Sequence, residues 1–498
     1  MNRTYQSTRG GEKGLTASQA ILKGLACDGG LFMPDSIPQL DVPMKTLAGM
    51  SYQEIAYETM KLFLTDFTEE ELKGCIAKAY DSKFDTEEIA ELAKADGDYY
   101  LELYHGSTIA FKDMALSILP HLMTVSAKKN GVSNEIVILA ATSGDTGKAA
   151  MAGFAGVPGT RIVVFYPKGG VSRVQELQMV TQKGDNTAVV AIHGNFDDAQ
   201  TGVKHIFGDS SFADHLEKNG FQLSSANSIN IGRLVPQVAY YVYAYAKLLE
   251  NGEIEDGETV NVTVPTGNFG NILAAYFAKK MGVPLGRLIC ASNENKVLYD
   301  FFSTGVYDRN RPFILTSSPS MDILISSNLE RLIYLSCGCD TEKTAALMAN
   351  LSGGGKYEGT EEMRSYMADF GGGFAGEGET AAVIKSLFES CGYLIDTHTG
   401  VAAAVCRQYK EKTGDSHKMI IASTASPFKF SGSVLEAIAG PGQEKDEFAI
   451  VDELSRISGV AVPAAVEEIR TAPVRHTREC DPADMEKQVA EFLGCPLA

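Results

Sequence analysis

One lysine sits in unusual company in the stretch "HGSTIAFKDMALSILP" (105–120). Lys112 follows a Ser-Thr pair and precedes an apolar pattern with helical spacing. A helix N-terminus disfavours a cation, so this lysine either turns to solvent or is held there for chemistry. Two glycine-rich turns follow, "ATSGDTGKAA" (141–150) and "PTGNFGNILAA" (265–275). Each lies after an apolar run and would present backbone N–H groups at a helix start, which suits a phosphate or a carboxylate. Neither matches the dinucleotide fingerprint or the Walker A pattern. A third apolar run, "IIASTASPFKF" (420–430), ends in the hydroxyls of Ser423 and Thr424, and "SSANSINIGRLVPQ" (224–237) carries Asn227, Ser228 and Asn230.

Taken singly, each feature has an ordinary structural use. Exposed lysines are common, any α/β protein makes glycine turns after strands, and Ser, Thr and Asn cap helices and turns. Together they describe a set of needs. A lysine for a Schiff base, a phosphate cradle and a partner for a pyridine nitrogen are what pyridoxal 5'-phosphate requires of a protein.

The elements around these residues are legible from periodicity. Residues 1–97 read as mostly helical, and "TEEELKGCIAKAYDS" opens on a Thr-x-x-Glu capping box. From about residue 98, continuous apolar runs alternate with helical patterns, as in "EIVILAATSGDTGKAAMAGFAG" and "TVNVTVPTGNFGNILAAYFAKKMG". Such runs predict parallel sheets covered on both faces, with ligands bound beyond the strands' carboxyl ends. The Gly-rich stretch 351–380 reads as an insertion or mobile loop, and the charged tail after about 440 as a helical cover.

Bulk composition narrows the partners. The 498 residues carry 44 basic and 63 acidic side chains, a net charge of −19. That argues against nucleic acid and anionic membrane as main partners and leaves room for an anionic small substrate. Nine scattered cysteines, an N-terminus without an apolar signal core and no membrane-length apolar run predict a cytoplasmic protein with reduced thiols.

The ordered set of motifs resembles the threonine synthases, in the long form with an N-terminal extension, within the β-family of pyridoxal-phosphate enzymes. It comprises "YQSTRG" (5–10), "GLACDGGLFMP" (24–34), "LELYHGSTIAFKD" (101–113), "ATSGDTG" (141–147), "YPKGGVSRVQELQM" (166–179), "GNFDDAQ" (194–200), "NSINIGRLVPQ" (227–237), "PTGNFGN" (265–271), "DTHTGVA" (396–402) and "STASP" (423–427). The resemblance implies an α/β fold with two parallel-sheet, three-layer domains of the tryptophan-synthase-β type and an N-terminal helical domain. The expected division is 1–97, then a large cofactor-binding unit of 98–135 with 225–498, and a small unit of 136–224. The implied cofactor is pyridoxal 5'-phosphate, with Lys112 as its lysine, Gly267, Asn268, Phe269, Gly270 and Asn271 as the phosphate loop, and Thr424 facing the pyridine nitrogen. Ser143, Gly144, Asp145 and Thr146 then resemble the turn that receives the substrate carboxylate, with Asn227 among the substrate residues.

The chain departs from the family pattern at Ser107 and Cys27, where proline is usual, and at Lys148, where a small residue is common. The usual "TAHPAKF" is "TASPFKF" here, so Ser426 and Phe428 replace His and Ala close to the expected cofactor.

The resemblance implies conversion of O-phospho-L-homoserine and water to L-threonine and phosphate, by a monomer or small homo-oligomer. Burial would lower the pKa of Lys112 and fit it to act as a base. A hydroxyl such as Thr424 cannot keep the ring nitrogen protonated as a carboxylate would, which points to elimination and replacement rather than transamination. Arg9, Lys148, Lys168, Arg173 and Arg233 are candidates for the substrate phosphate. Two alternatives stay open: a related lyase such as a threonine or serine dehydratase, and a non-catalytic homologue.

Overall fold

The computed structural model describes residues 3–142, 144–442 and 446–497. Two sheets organise it. The larger has six strands in the order Phe370–Phe374, Leu285–Ser292, Val260–Pro265, Met419–Ser423, Asp98–Glu102 and Glu91–Ala95. All its neighbours are parallel except the last pair. The smaller has five strands, all parallel, in the order Arg478–Cys480, Thr187–Ile192, Thr160–Pro167, Glu135–Ala141 and Phe221–Ser224. The α/β architecture with parallel sheets expected from the apolar runs is what the chain forms.

Both faces of the larger sheet are covered, so that even Asn261 and Thr263, which alternate with the valines of Val260–Pro265, are buried. Val260, Val262 and Val264 pack with the N-terminal helices and with the helix Ile231–Glu250, while Ile289, Ala291, Met419 and Ile421 pack with the helix Thr397–Thr413 on the other side. The helix Ile231–Glu250 is buried nearly all round, tyrosines 240, 241, 243 and 245 included. Three of the four N-terminal helices among the described residues begin on capping boxes, at Thr16, Ser51 and Thr68, the last being the one legible in the sequence. Among the described residues no helix is long and apolar enough to cross a membrane.

The stretch 351–380 is a correction. It is not a loop insertion: it holds the short strand Lys356–Glu358, the helix Glu361–Tyr366, the edge strand Phe370–Phe374 and the start of the helix Glu377–Cys391. The glycines of "FGGGF" have a packing reason. A Cβ on Gly373 would stand 2.4 Å from Val405 Cγ1, and one on Gly372 would stand 3.3 Å from the Tyr299 backbone. Two further elements cross the expected unit limits. The Asp96-Gly97 turn, with both residues at positive φ, folds Glu91–Ala95 back onto Asp98–Glu102, so this hairpin straddles residue 97. The strand Arg478–Cys480 joins the smaller sheet, and Met485, Val489 and Leu493 of the following helix pack on that sheet's core. A three-residue strand and an amphipathic tail helix carry too little periodic signal to be assigned to a sheet from sequence.

One contact fixes the segment bearing Lys112. Helix Asp113–Leu116 crosses helix Asp145–Phe154 so closely that a Cβ on Gly153 would lie 2.1 Å from the Leu116 carbonyl oxygen. Gly153→Ala is therefore expected to lower stability by about 1–3 kcal/mol through overpacking. Denaturant unfolding checks this; an unchanged midpoint would show that the crossing has slack.

Candidate functional site

The loops after several parallel strands converge on one cavity. Lys112, Asp145, Thr146, Asn227, Arg233, the run Gly267–Asn271 and Thr424 all border it. Their elements explain the convergence. Val260–Pro265 leads through 266–269 into the helix Gly270–Lys280, Met419–Ser423 leads to Thr424, and Glu135–Ala141 leads to the helix starting at Asp145.

Lys112 stands at the start of a single four-residue turn of helix, Asp113–Leu116. Its segment is stitched to the Thr424 strand end: Phe111 N–H donates to the Thr424 carbonyl at 2.8 Å and Ser426 N–H to the Ile109 carbonyl at 3.0 Å. Ile109 itself holds φ at 51°, a costly conformation for a β-branched residue. The Lys112 ammonium donates to Ser320 Oγ at 3.2 Å and lies 3.6 Å from Asp145 Oδ2. Burial pushes its pKa below the usual lysine value, against the pull of Asp145.

Asp145 is the most crowded charge in the site. Its Oδ2 accepts from Ser320 Oγ at 3.2 Å, and its Oδ1 accepts from Gln175 Nε2 at 3.4 Å and lies 3.3 Å from Lys429 Nζ. Burial alone would raise its pKa, but Lys429 and Lys112 outweigh burial and hold it well below the usual carboxylate range. His398 borders the cavity too. Its Nδ1 lies 2.8 Å from Asp396 Oδ2, and its Nε2 accepts the Ser320 N–H at 3.2 Å, which fixes the Nδ1–H tautomer.

The glycine turn 267–270 borders the cavity, with two vacant side-chain donors beside it. Phe269 takes the left-handed conformation, φ 63°, just before the helix Gly270–Lys280, and its ring stacks on Phe302. Gly267 has no room for a Cβ, which would lie 2.4 Å from the Ser320 carbonyl. Asn271 Nδ2 and Arg233 Nε are buried without a hydrogen-bond partner. No carboxylate pairs with Arg233 among the described residues. Two orphaned donors, one cationic, beside a helix N-terminus suit a phosphate group, so the residues present fit pyridoxal phosphate.

Other expected residues lie elsewhere. Gly144 caps the helix Asp145–Phe154 at φ 134°, with Gln175 packed where its Cβ would be, and it does not border the cavity. Ser143 lies outside the described residues. Of the five candidate cations only Arg233 borders the cavity. Arg9 makes a bidentate pair with Glu330, Lys168 pairs with Glu479, and Arg173 with Glu176. Lys148 is buried on Gln182 Oε1, and burial together with Lys429 pushes its pKa down to about 8. Ser426 and Phe428 do not border the cavity either: the Ser426 hydroxyl accepts from Phe428 N–H as a cap, and the Phe428 ring packs in the core. The residues that sequence reasoning missed are Ser320, His398 and Lys429. His398 lay inside the quoted "DTHTG" and Lys429 inside "SPFKF", whereas Ser320 carries no local signal.

Comparisons with known proteins follow the same outline. Family models match for "Threonine synthase N terminus" over residues 4–80, "Pyridoxal-phosphate dependent enzyme" over 86–424 and "Threonine synthase, C-terminal" over 399–478. The chain is 40% identical over 434 residues to threonine synthase-like 1 of Homo sapiens, covering 84% of this chain and 58% of that protein. It thus spans about three fifths of that relative's length. It is 37% identical to threonine synthase of Schizosaccharomyces pombe, covering 88% of this chain and 89% of that one. The crystal structure of pyridoxal-phosphate-bound threonine synthase from Brucella melitensis superposes with a TM-score of 0.87 at 34% identity, covering 100% of both chains.

Gly270 has space for a side chain, its nearest neighbour being Asn328 Nδ2 at 3.5 Å from a built Cβ. Gly270→Asp is expected to fold and to bind pyridoxal phosphate at least about tenfold more weakly, since it sets a carboxylate against the cradle. Spectrophotometric titration with the cofactor measures this; unchanged affinity would move the phosphate away from residues 267–271.

Proposed function

We propose, from the premise that this chain belongs to the threonine synthase family of pyridoxal-phosphate-dependent enzymes, that it converts O-phospho-L-homoserine and water to L-threonine and phosphate. The observation that carries the reading is a buried lysine, Lys112, in the same cavity as an anion cradle whose donors at Arg233 and Asn271 have no partner.

Bound pyridoxal phosphate supplies an electron sink that makes protons on the substrate carbons next to it acidic. The chain's own residues do the rest. Arg233, Asn271 and the N–H groups of 267–270 hold the cofactor phosphate. Lys112 would hold the cofactor through its side-chain amine, and as a free amine it is the base of the cavity. Its burial favours the neutral amine, as a base working near neutral pH requires. It moves the protons at Cα and Cβ while phosphate leaves Cγ, a proton is placed on Cγ and water adds at Cβ. The N–H groups of the turn at Asp145 and Thr146, with Asn227 also lining the cavity, orient the substrate's carboxylate. Thr424 would offer a neutral hydroxyl to the cofactor's ring nitrogen. Ser320, already bonded to Lys112 and Asp145, holds the lysine in register.

Lys112→Ala is expected to lose at least about a thousandfold in phosphate release from phosphohomoserine, and borohydride reduction of the parent enzyme should place the cofactor on the peptide containing residue 112. Label on another lysine contradicts the assignment. The parent is also expected to release phosphate from phosphohomoserine far faster than it forms oxoacid from threonine; the reverse order would make it a dehydratase.

Thr424→Asp is expected to change the products rather than only the rate. A carboxylate would keep the ring nitrogen protonated, strengthen the electron sink and favour protonation at the wrong carbon. The ratio of pyridoxamine phosphate to threonine formed should rise; an unchanged ratio with cofactor still bound removes Thr424 from the ring nitrogen.

A further inference from the structure

Lys429 has no part in the reaction as described, yet it is among the least accessible cations of the chain, its side chain only 3% exposed. We propose that Lys429 is a positioning residue that competes with Lys112 for the carboxylate of Asp145, so that Lys112 can shed its proton although it faces a buried anion. This rests on the reading of Lys112 as the cofactor-bearing base.

The geometry sets up a shared ion pair. Asp145 lies between two ammonium groups, Lys429 Nζ at 3.3 Å from Oδ1 and Lys112 Nζ at 3.6 Å from Oδ2. Were Lys429 absent, Lys112 would be the only ammonium among the described residues within ion-pair distance of that carboxylate, and the pair would hold its proton. With Lys429 in place, the charge of Asp145 is already met from the other side, and the nearby cation also repels the proton on Lys112. Lys429 is fixed in this position by a second bond, to the Thr108 carbonyl at 3.1 Å. Thr108 in turn donates through its N–H and hydroxyl to Asp113, the residue after Lys112, at 2.7 Å each. Lys429 is thus anchored to the segment whose lysine it governs.

The other charges facing this group do not replace it. Asp113 points to Thr108 rather than into the cavity. His398 is held by Asp396 and by the Ser320 N–H. Arg233, facing from the helix Ile231–Glu250, adds positive charge on the cradle side, and Lys148, on the helix of Asp145, bonds to Gln182. Neither makes an ion pair with Asp145 among the described residues. The same balance bears on substrate: Asp145 lies in the turn proposed for the substrate carboxylate, and an unmatched anion there would repel it.

A set of four holoenzyme variants tests the signs. Two readouts are followed against pH: the visible absorption of the lysine-bound cofactor, and the acid limb of kcat/KM for phosphohomoserine. Lys429→Met should move both midpoints upward by about one pH unit, because Lys112 then faces Asp145 alone. Asp145→Asn should move them downward, because Lys112 then faces Lys429 alone. The double variant should return close to the parent, and Lys429→Arg should keep the parent midpoints. A merely structural role for Lys429 would lower stability or cofactor content without this pattern of signs. Midpoints that stay in place in both readouts for Lys429→Met overturn the proposal. If that variant does not fold, Asp145→Asn decides by itself: an upward or absent shift overturns the proposal. Borohydride label on a lysine other than Lys112 would overturn the functional reading beneath it, and is distinguished by peptide mass alone.

Discussion

A lysine ammonium buried beside a carboxylate is the constraint around which the rest of this structure is arranged. An ion pair taken out of water costs several kcal/mol per charge unless hydrogen bonds and further charges compensate. Here the compensation comes from three partners: Ser320 between Lys112 and Asp145 Oδ2, and Gln175 and Lys429 on Asp145 Oδ1. Each partner arrives on a different element. The fold's task is to bring the ends of strands Asp98–Glu102, Glu135–Ala141, Val260–Pro265 and Met419–Ser423 within hydrogen-bonding reach of one point.

Parallel sheets do this well, because every strand's carboxyl end opens on the same edge. The larger sheet supplies the cradle, the Lys112 segment and Thr424, and the smaller supplies the turn at Asp145. Rigidity follows from burial. The helix Ile231–Glu250 carries Arg233 and is almost wholly enclosed, so its guanidinium is delivered to the cavity by the core itself. Strain is tolerated where it positions chemistry. Ile109 and Phe269 both hold positive φ, one three residues before Lys112 and the other at the mouth of the cradle helix.

Much of this was legible in the sequence because the chemistry lies in loops adjoining strongly periodic elements. The runs before "ATSGDTG" and "PTGNFGN" read as parallel strands, and the Thr68 capping box marks a helix start that the structure contains. The edge strand Phe370–Phe374 was not legible, because "FGGGF" has the composition of a loop and becomes a strand only where Val405 and Tyr299 press against it. Ser320 and Lys429 were missed for a related reason. Ser320 comes from a segment without local pattern, and Lys429, although inside the quoted "SPFKF", looks like any exposed lysine until its neighbours are known. The five candidate cations show the converse. Arginine and lysine near a motif are abundant, and only the fold separates Arg233, whose Nε has no partner and which meets no carboxylate among the described residues, from Arg9, Lys168 and Arg173, which do meet carboxylates.

The central claim is that phosphate leaves by cleavage of its bond to carbon and that water then enters at the neighbouring carbon. Turnover of phosphohomoserine in water enriched in oxygen-18 reads both events at once. The account predicts threonine carrying one heavy oxygen in its hydroxyl group, and released phosphate carrying none. Heavy oxygen in the phosphate, with homoserine as the product, would mean hydrolysis at phosphorus and would contradict it.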